Sequence, residues 1–194
     1  MEDLGIGQKT LVPTQVKPFA EVVGSYTYFA DGDVLLAKIT PCFENGKLGI
    51  AGELSNGIGF GSSEYIVFRP SRSIDKDWLY YFLSREAFRK EGAERMTGAV
   101  GHKRVAKEFI EAYPIPLPPV SEQKRIVAIL DEAFEGIDVA VANAEKNLAN
   151  ARELYESYLN FVFTQKGEGW VEKPLCEVCR LLNGRAYNKK ADRG

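Results

Sequence analysis

The feature that most limits how this chain can fold is one apolar repeat running without a break from Ser121 to about residue 165. Apolar or small residues recur at Ile126, Leu130, Ala133, Ile137, Ala140, Ala144, Leu148, Ala151, Tyr155, Tyr158 and Val162. The steps alternate between three and four residues, with one extra step of four between Ala144 and Leu148. That is a heptad seam containing a stutter. No proline interrupts it, and Gly136 is its only glycine. Ser121 is the expected N-cap, with Glu122 and Gln123 in the first turn. A continuous helix over 122–165 would be roughly 65 Å long. The remaining mass cannot cover such a seam, so a coiled-coil partner is expected. The alanines at 133, 140, 144 and 151 favour close helix approach.

The proline run Pro114-Ile-Pro-Leu-Pro-Pro119 precedes this helix and cannot be helix interior, which places a boundary there. Three regions result: residues 1–119, a helix over 120–166, and a tail over 167–194 that starts near Trp170 and passes through Leu181-Leu-Asn-Gly184. The first region reads as β-rich. Asp31-Gly32 is a turn signal ahead of the apolar strand Asp33–Ile39. Asn45-Gly46 is the strongest two-residue hairpin signal, and Lys47–Ala51 is its returning strand. Gly57–Gly61 reads as a loop and Glu64–Arg69 as a further strand. Residues 75–91 change to a helical period, capped by Asp75, with Gly92 weakening any continuation. Thr97–Arg104 is a glycine loop, and Val105–Tyr113 a short mixed segment. The fold class is therefore α+β: a mainly β domain followed by one long helix.

With 45% hydrophobic and 27% charged residues the composition is that of an ordinary folded chain. No stretch approaches a bilayer-spanning length and the N-terminus lacks an apolar leader core, so a cytoplasmic location and no membrane are expected. The net charge of −2 conceals local asymmetry. Residues 121–169 carry five basic and nine acidic side chains, whereas 96–107 carry none that are acidic but include His102, Lys103, Arg104 and Lys107. The tail holds six basic and three acidic residues over 170–194. Local basic patches suffice for nucleic acid, because the partner feels the near field rather than the sum.

Thr97, Gly98, His102, Lys103 and Arg104 thus form one candidate DNA-contact loop, with Arg104 able to grip guanine or phosphate. Lys38, Thr40, Asn45 and Lys47 form a second, around the expected hairpin. Solvated surface is the plainer alternative for each. Arg69, Arg85, Arg89 and Arg95 read as solvated more readily than as phosphate contacts, and Tyr26, Tyr28 and Tyr65 as packing residues. Catalytic sites find little support. Asp33, Glu44 and Lys47 lack the spacing of a nuclease centre, since the last two straddle Asn-Gly and diverge. Gly57-x-Gly59-x-Gly61 lacks the strand-then-helix setting of a nucleotide loop, and no adenine-methylase motif is present. Cys176 and Cys179 have the spacing of half a zinc site without the other half, and read as two small half-buried thiols; no metal is expected.

Two stretches carry a family resemblance. Phe29-Ala-Asp-Gly-Asp-Val-Leu-Leu-Ala-Lys-Ile-Thr-Pro-Cys-Phe-Glu-Asn-Gly-Lys47 resembles the central strands of a target-recognition domain in type I restriction-modification specificity subunits. Pro114-Ile-Pro-Leu-Pro-Pro-Val-Ser-Glu-Gln-Lys-Arg-Ile-Val127 resembles that family's entry into its spacer helix. The resemblance implies a half-length form with one recognition domain and one spacer helix. It implies no catalysis and no cofactor in this chain: S-adenosylmethionine, Mg and ATP would belong to modification and restriction (motor) subunits. It also implies double-stranded DNA as ligand and a homodimer through antiparallel helices, reading a bipartite site. The N-terminus would lack the first strand or so of a recognition domain. The tail would either complete such a domain, its own or its mate's, or end a piece of a longer chain. A coiled-coil assembly module without sequence preference is the alternative function.

Overall fold

Two strands that are apolar at every position decide the architecture. The computed structural model describes residues 3–11 and 13–180. Strands β3 (Val34–Ala37) and β4 (Leu48–Ala51) are buried throughout and pair antiparallel, Leu36 opposite Leu48. Successive side chains of a strand point to opposite faces, so a strand with no polar position must be covered on both sides. Val34, Leu36, Leu48 and Ile50 meet helices α2 (Lys76–Ser84), α3 (Glu86–Glu94) and α4 (Lys107–Ala112) in one core. Leu35, Ala37 and Ala51 meet Leu4, Leu11, Phe29, Leu54 and Tyr65 in the other.

The main sheet runs in the order β1-β4-β3-β6, with β1 (Thr10–Leu11) parallel to β4 and β6 (Tyr65–Phe68) antiparallel to β3. A second sheet pairs β2 (Thr27–Ala30) with β5 (Ile58–Gly61) and follows the short helix α1 (Phe19–Val22). Residues 58–61 are therefore a strand, not the expected loop. Its glycines are what let it lie there: a Cβ on Gly59 would fall 2.3 Å from the Phe29 ring, and one on Gly61 2.5 Å from Tyr65.

The Asn45-Gly46 hairpin is corrected too. Gly46 does take a positive φ of 76°, but β3 and β4 are joined by the whole of 38–47. That connection winds back on itself through Phe43 N–H to Ile39 O, Asn45 N–H to Pro41 O and Lys47 N–H to Cys42 O. The excursion delivers Phe43, fully buried, edge-on to Phe88 at 5.9 Å. Gly92 is the socket for it: a Cβ there would sit 2.4 Å from the Phe43 ring, so this glycine belongs inside α3 rather than ending a helix.

The expected helix over 75–91 is two. Asp75 caps α2 as expected, its carboxylate accepting from the N–H groups of Asp77 and Trp78. Arg85 is extended (φ −61°, ψ 137°) and separates α2 from α3. Its Nε donates to Phe82 O at 2.9 Å and Arg89 donates to Ser84 O, so two arginines close the carbonyl end of α2.

Helix α5 (Val120–Thr164) is a single helix of 45 residues. It starts one residue before the expected cap: Pro119 O already accepts from the N–H groups of Glu122 and Gln123, so Ser121 is inside. Two compact units divide the chain, one to Ile137 and one from Asp138. The first takes in the opening turns of α5 besides residues up to 119. In the second, every position of α5 is exposed, and a short helix α6 (Leu175–Val178) follows. Cys176 and Cys179 are exposed rather than half-buried. The part of the tail from Leu181 through Gly184 to Gly194 lies outside the described residues. Among the described residues no helix is long and apolar enough to cross a membrane.

Candidate nucleic-acid interface

The C-terminal end of β3 gathers three segments that are far apart in sequence. Lys38 N–H donates to Glu64 O at 2.9 Å, Val105 N–H to Lys38 O at 2.9 Å, and Thr40 N–H to Lys103 O at 2.9 Å. The loop 97–104 is itself closed by reciprocal bonds between Thr97 and Arg104, 3.0 and 2.8 Å. A turn from His102 N–H to Ala99 O, 2.9 Å, shapes its tip. Gly98 is required by that closure: its φ is 128°, and a Cβ would stand 2.8 Å from His102 O. The result is a firmly based loop whose tip, Val100, is 93% exposed.

This ladder unites Lys38, Thr40, Thr97, Gly98, His102, Lys103 and Arg104 from the two candidate sets. Asn45 and Lys47 sit on the returning limb of the 38–47 connection, where Lys47 bridges Ile6 and its carbonyl accepts from Ala37 N–H. They are not part of the ladder. Thr97, His102 and Lys103 are exposed, and Lys38 and Thr40 half-buried. Thr40 Oγ1 lies 3.9 Å from Met96 Sδ.

Arg104 differs from the expectation of a free guanidinium. Its Nε and Nη2 grip the Glu64 carboxylate at 2.9 and 2.6 Å, and Nη1 donates to His102 O at 3.1 Å. The guanidinium bonds hold the Glu64 carboxyl below the ordinary range, with partial burial opposing them, and raise Arg104 in turn. The window 96–107 is free of acids in sequence but not in space. No spacing rule could have found Glu64, forty residues away in the chain. Arg104 thus presents a paired, oriented group, while Lys103 and His102 make no ion pair among the described residues.

Arg69, Arg85 and Arg95 are exposed and Arg89 half-buried, and all four also make contacts within the molecule. Arg69 donates from Nε and Nη2 to the two oxygens of Asp33, 2.8 and 2.6 Å. Arg85 and Arg89 close α2, and Arg95 lies over Phe109 at 5.0 Å with Glu91 at 3.9 Å. Of the three tyrosines expected to pack, only Tyr65 is buried, which pushes its hydroxyl up to about 12. Tyr26 and Tyr28 are 48% and 47% exposed. Among the described residues no group of three His, Cys, Asp or Glu is placed to hold a metal.

On α5, the seam residues Ile126 and Leu130 are half-buried within the first unit. Ala133, Ile137, Ala140, Ala144, Leu148, Ala151, Tyr155, Tyr158 and Val162 are all exposed. Sequence periodicity missed the residues that attach the helix base. Gln123 and Val127 are buried, and Asp131 and Phe134 carry polar and aromatic contacts to α2.

Comparison with known proteins places this arrangement. The family model of the type I restriction modification DNA specificity domain matches residues 6–147. The specificity subunits of the EcoAI and EcoEI type I restriction enzymes of Escherichia coli are 40% and 39% identical over 146 residues. Each match covers 75% of this chain and 25% of the relative, so the chain spans about a quarter of the length of the curated relatives it matches. Among solved structures, the HsdS subunit from Thermoanaerobacter tengcongensis shares the fold at a TM-score of 0.61 and 18% identity, over 85% of this chain and 42% of that one. A chain from a type I R-M system solved for its complex assembly and conformational transition matches at 0.56 and 25% identity, over 69% and 31%. With the α+β fold, the long helix and a family model matched over most of its length, this chain belongs to the type I restriction-modification DNA specificity family.

Proposed function

We propose that the chain is the sequence-reading part of a type I restriction-modification assembly, binding double-stranded DNA and directing adenine methylation and restriction by partner subunits. The observation that carries this reading is the loop 97–104, closed on itself and hydrogen-bonded to Lys38 and Thr40 at one end of the sheet. A loop held at its base presents side chains to a groove in a fixed register, which is what base readout requires. Lys103, His102 and Lys38 supply attraction to phosphate, and Thr97 and the oriented Arg104 supply direction. Chemistry, S-adenosylmethionine, Mg and ATP belong to the modification and motor subunits, and the chain works beside them in the cytoplasm.

Two copies pair through the exposed seam of α5 in antiparallel fashion. A twofold pair of identical readers recognises an inverted, bipartite target, with helix length setting the gap. The EcoAI and EcoEI relatives are named as specificity subunits, which supports the role but not the pairing.

Co-expression with the cognate modification subunit, followed by genome-wide mapping of adenine methylation, tests this directly. A single palindromic bipartite motif is expected. No motif, with both proteins soluble and associated, would refute sequence reading and leave an assembly module. For the loop, Lys103→Ala with Arg104→Ala is expected to weaken binding of a generic duplex at low salt and to flatten the salt dependence. Unchanged affinity would remove this loop from the interface.

A further inference from the structure

The base of α5 is attached to the recognition unit in a way that the apolar seam does not explain. Gln123 is fully buried, and every polar atom of its side chain is used. Its Oε1 accepts from Asp75 N–H at 2.8 Å, and its Nε2 donates to Ser73 O at 3.0 Å and Pro118 O at 2.7 Å. One amide therefore ties the first turn of α5 to the cap of α2, to the loop before it and to the proline connector. A glutamate could not replace it, since two of the three partners are carbonyl oxygens that need a donor.

A second attachment lies about 12 Å further along the axis. Lys9 Nζ bridges Asp77 of α2 and Asp131 of α5 at 2.9 and 2.7 Å, and lies 4.9 Å from the centre of the Tyr81 ring. The Tyr81 hydroxyl donates to the same Asp131 carboxylate, and its ring stacks on Phe134 at 5.6 Å. Positions 123, 127, 131 and 134 form one stripe. The seam at 126, 130, 133 and 137 is displaced from it by about 85° around the helix. A rod held at one point pivots, whereas a rod held at two points on one stripe keeps both its direction and its rotational phase. Those two quantities decide where a mating helix, and the reader attached to it, would lie.

We infer that Gln123 together with the Lys9–Asp131–Tyr81 latch are positioning residues that fix the direction and rotational phase of the base of α5, as far as Ile137, within the first unit, and so hold constant the gap that helix length sets between the half-sites of a bipartite target. The part concerning DNA rests on the function proposed above; the mechanical part does not.

The test has two arms on the full chain. Spin labels introduced as genetically encoded residues at Ser63 and Glu135, both exposed and both in the first unit, in chains diluted with unlabelled protein, report the distance distribution by pulsed electron resonance. Asp131→Asn and Tyr81→Phe remove polar contacts with little change of shape, so they keep the fold testable where Gln123→Ala unfolds it; far-ultraviolet circular dichroism verifies that they remain folded. The distribution is expected to be narrow in the parent and broad in the double variant. In the second arm, methylation mapping with the modification subunit is expected to return the same half-sites for parent and variant. The parent should show one gap and the variant a loss of that single gap. A variant distribution as narrow as the parent's, or an unchanged single gap, overturns the inference. A parent that methylates nothing defeats the DNA reading instead, and the distance arm still decides the latch.

Discussion

Single residues set the close fits of this molecule. Gly92 is the sharpest case, because Phe43 and Phe88 are both fully buried and the Phe43 ring occupies the space of a side chain at that position. Helix propensity alone favours alanine there by about 1 kcal/mol. Overpacking a closed core opposes this by about 1–3 kcal/mol. Gly92→Ala is therefore expected to destabilise on balance, lowering the urea midpoint without changing the slope. A raised midpoint would mean that Phe43 can move aside. Sequence patterning saw Gly92 only as a weak point in a helix, since the residue that fills it arrives from a connection nearly fifty positions earlier. Lys38, Thr40, Lys103 and Arg104 were legible as candidates from charge and loop composition. Their assembly into one ladder, and the capture of Arg104 by Glu64, were not.

At the scale of elements, Asp33 holds the turn between β2 and β3 to the end of β6. Its carboxylate accepts from Ala30 N–H at 2.8 Å and from two nitrogens of Arg69. Burial pushes the Asp33 carboxyl up, but these bonds outweigh it and hold the group below its ordinary 3.8. A carboxyl depressed on folding stabilises the protein above its unfolded value and loses that contribution as the pH falls through its folded value. Asp33→Asn is expected to be less stable by about 1–3 kcal/mol near neutrality. Its stability should also fall less steeply than the parent's at pH below about 4. Urea unfolding over that range measures both; parallel curves would exclude the linkage. The strands around Asp33 were readable because β3, β4 and β6 are apolar or β-branched in short runs. β5 was not, because its glycines act only against Phe29 and Tyr65, which belong to other strands.

For the whole molecule, the decisive surface is the exposed seam of α5. Leu148, Tyr155 and Tyr158 are 53%, 64% and 68% exposed, an arrangement that a solvated helix does not need. Leu148→Glu is expected to shift sedimentation from dimer to monomer at micromolar concentration while leaving the circular dichroism of the recognition unit intact. A parent already monomeric under those conditions would remove the paired arrangement.

Local periodicity, backbone chemistry and a contiguous motif carry the α+β class, the long helix and the family, whereas the proline run marks the start of that helix and not the division between the two compact units, which falls after Ile137. Only the tertiary structure decided which cations are available, where Phe43 goes, and that Gln123, Lys9, Tyr81 and Asp131 attach the helix. Those facts depend on groups tens of residues apart meeting in space, and no local pattern encodes which of them will meet.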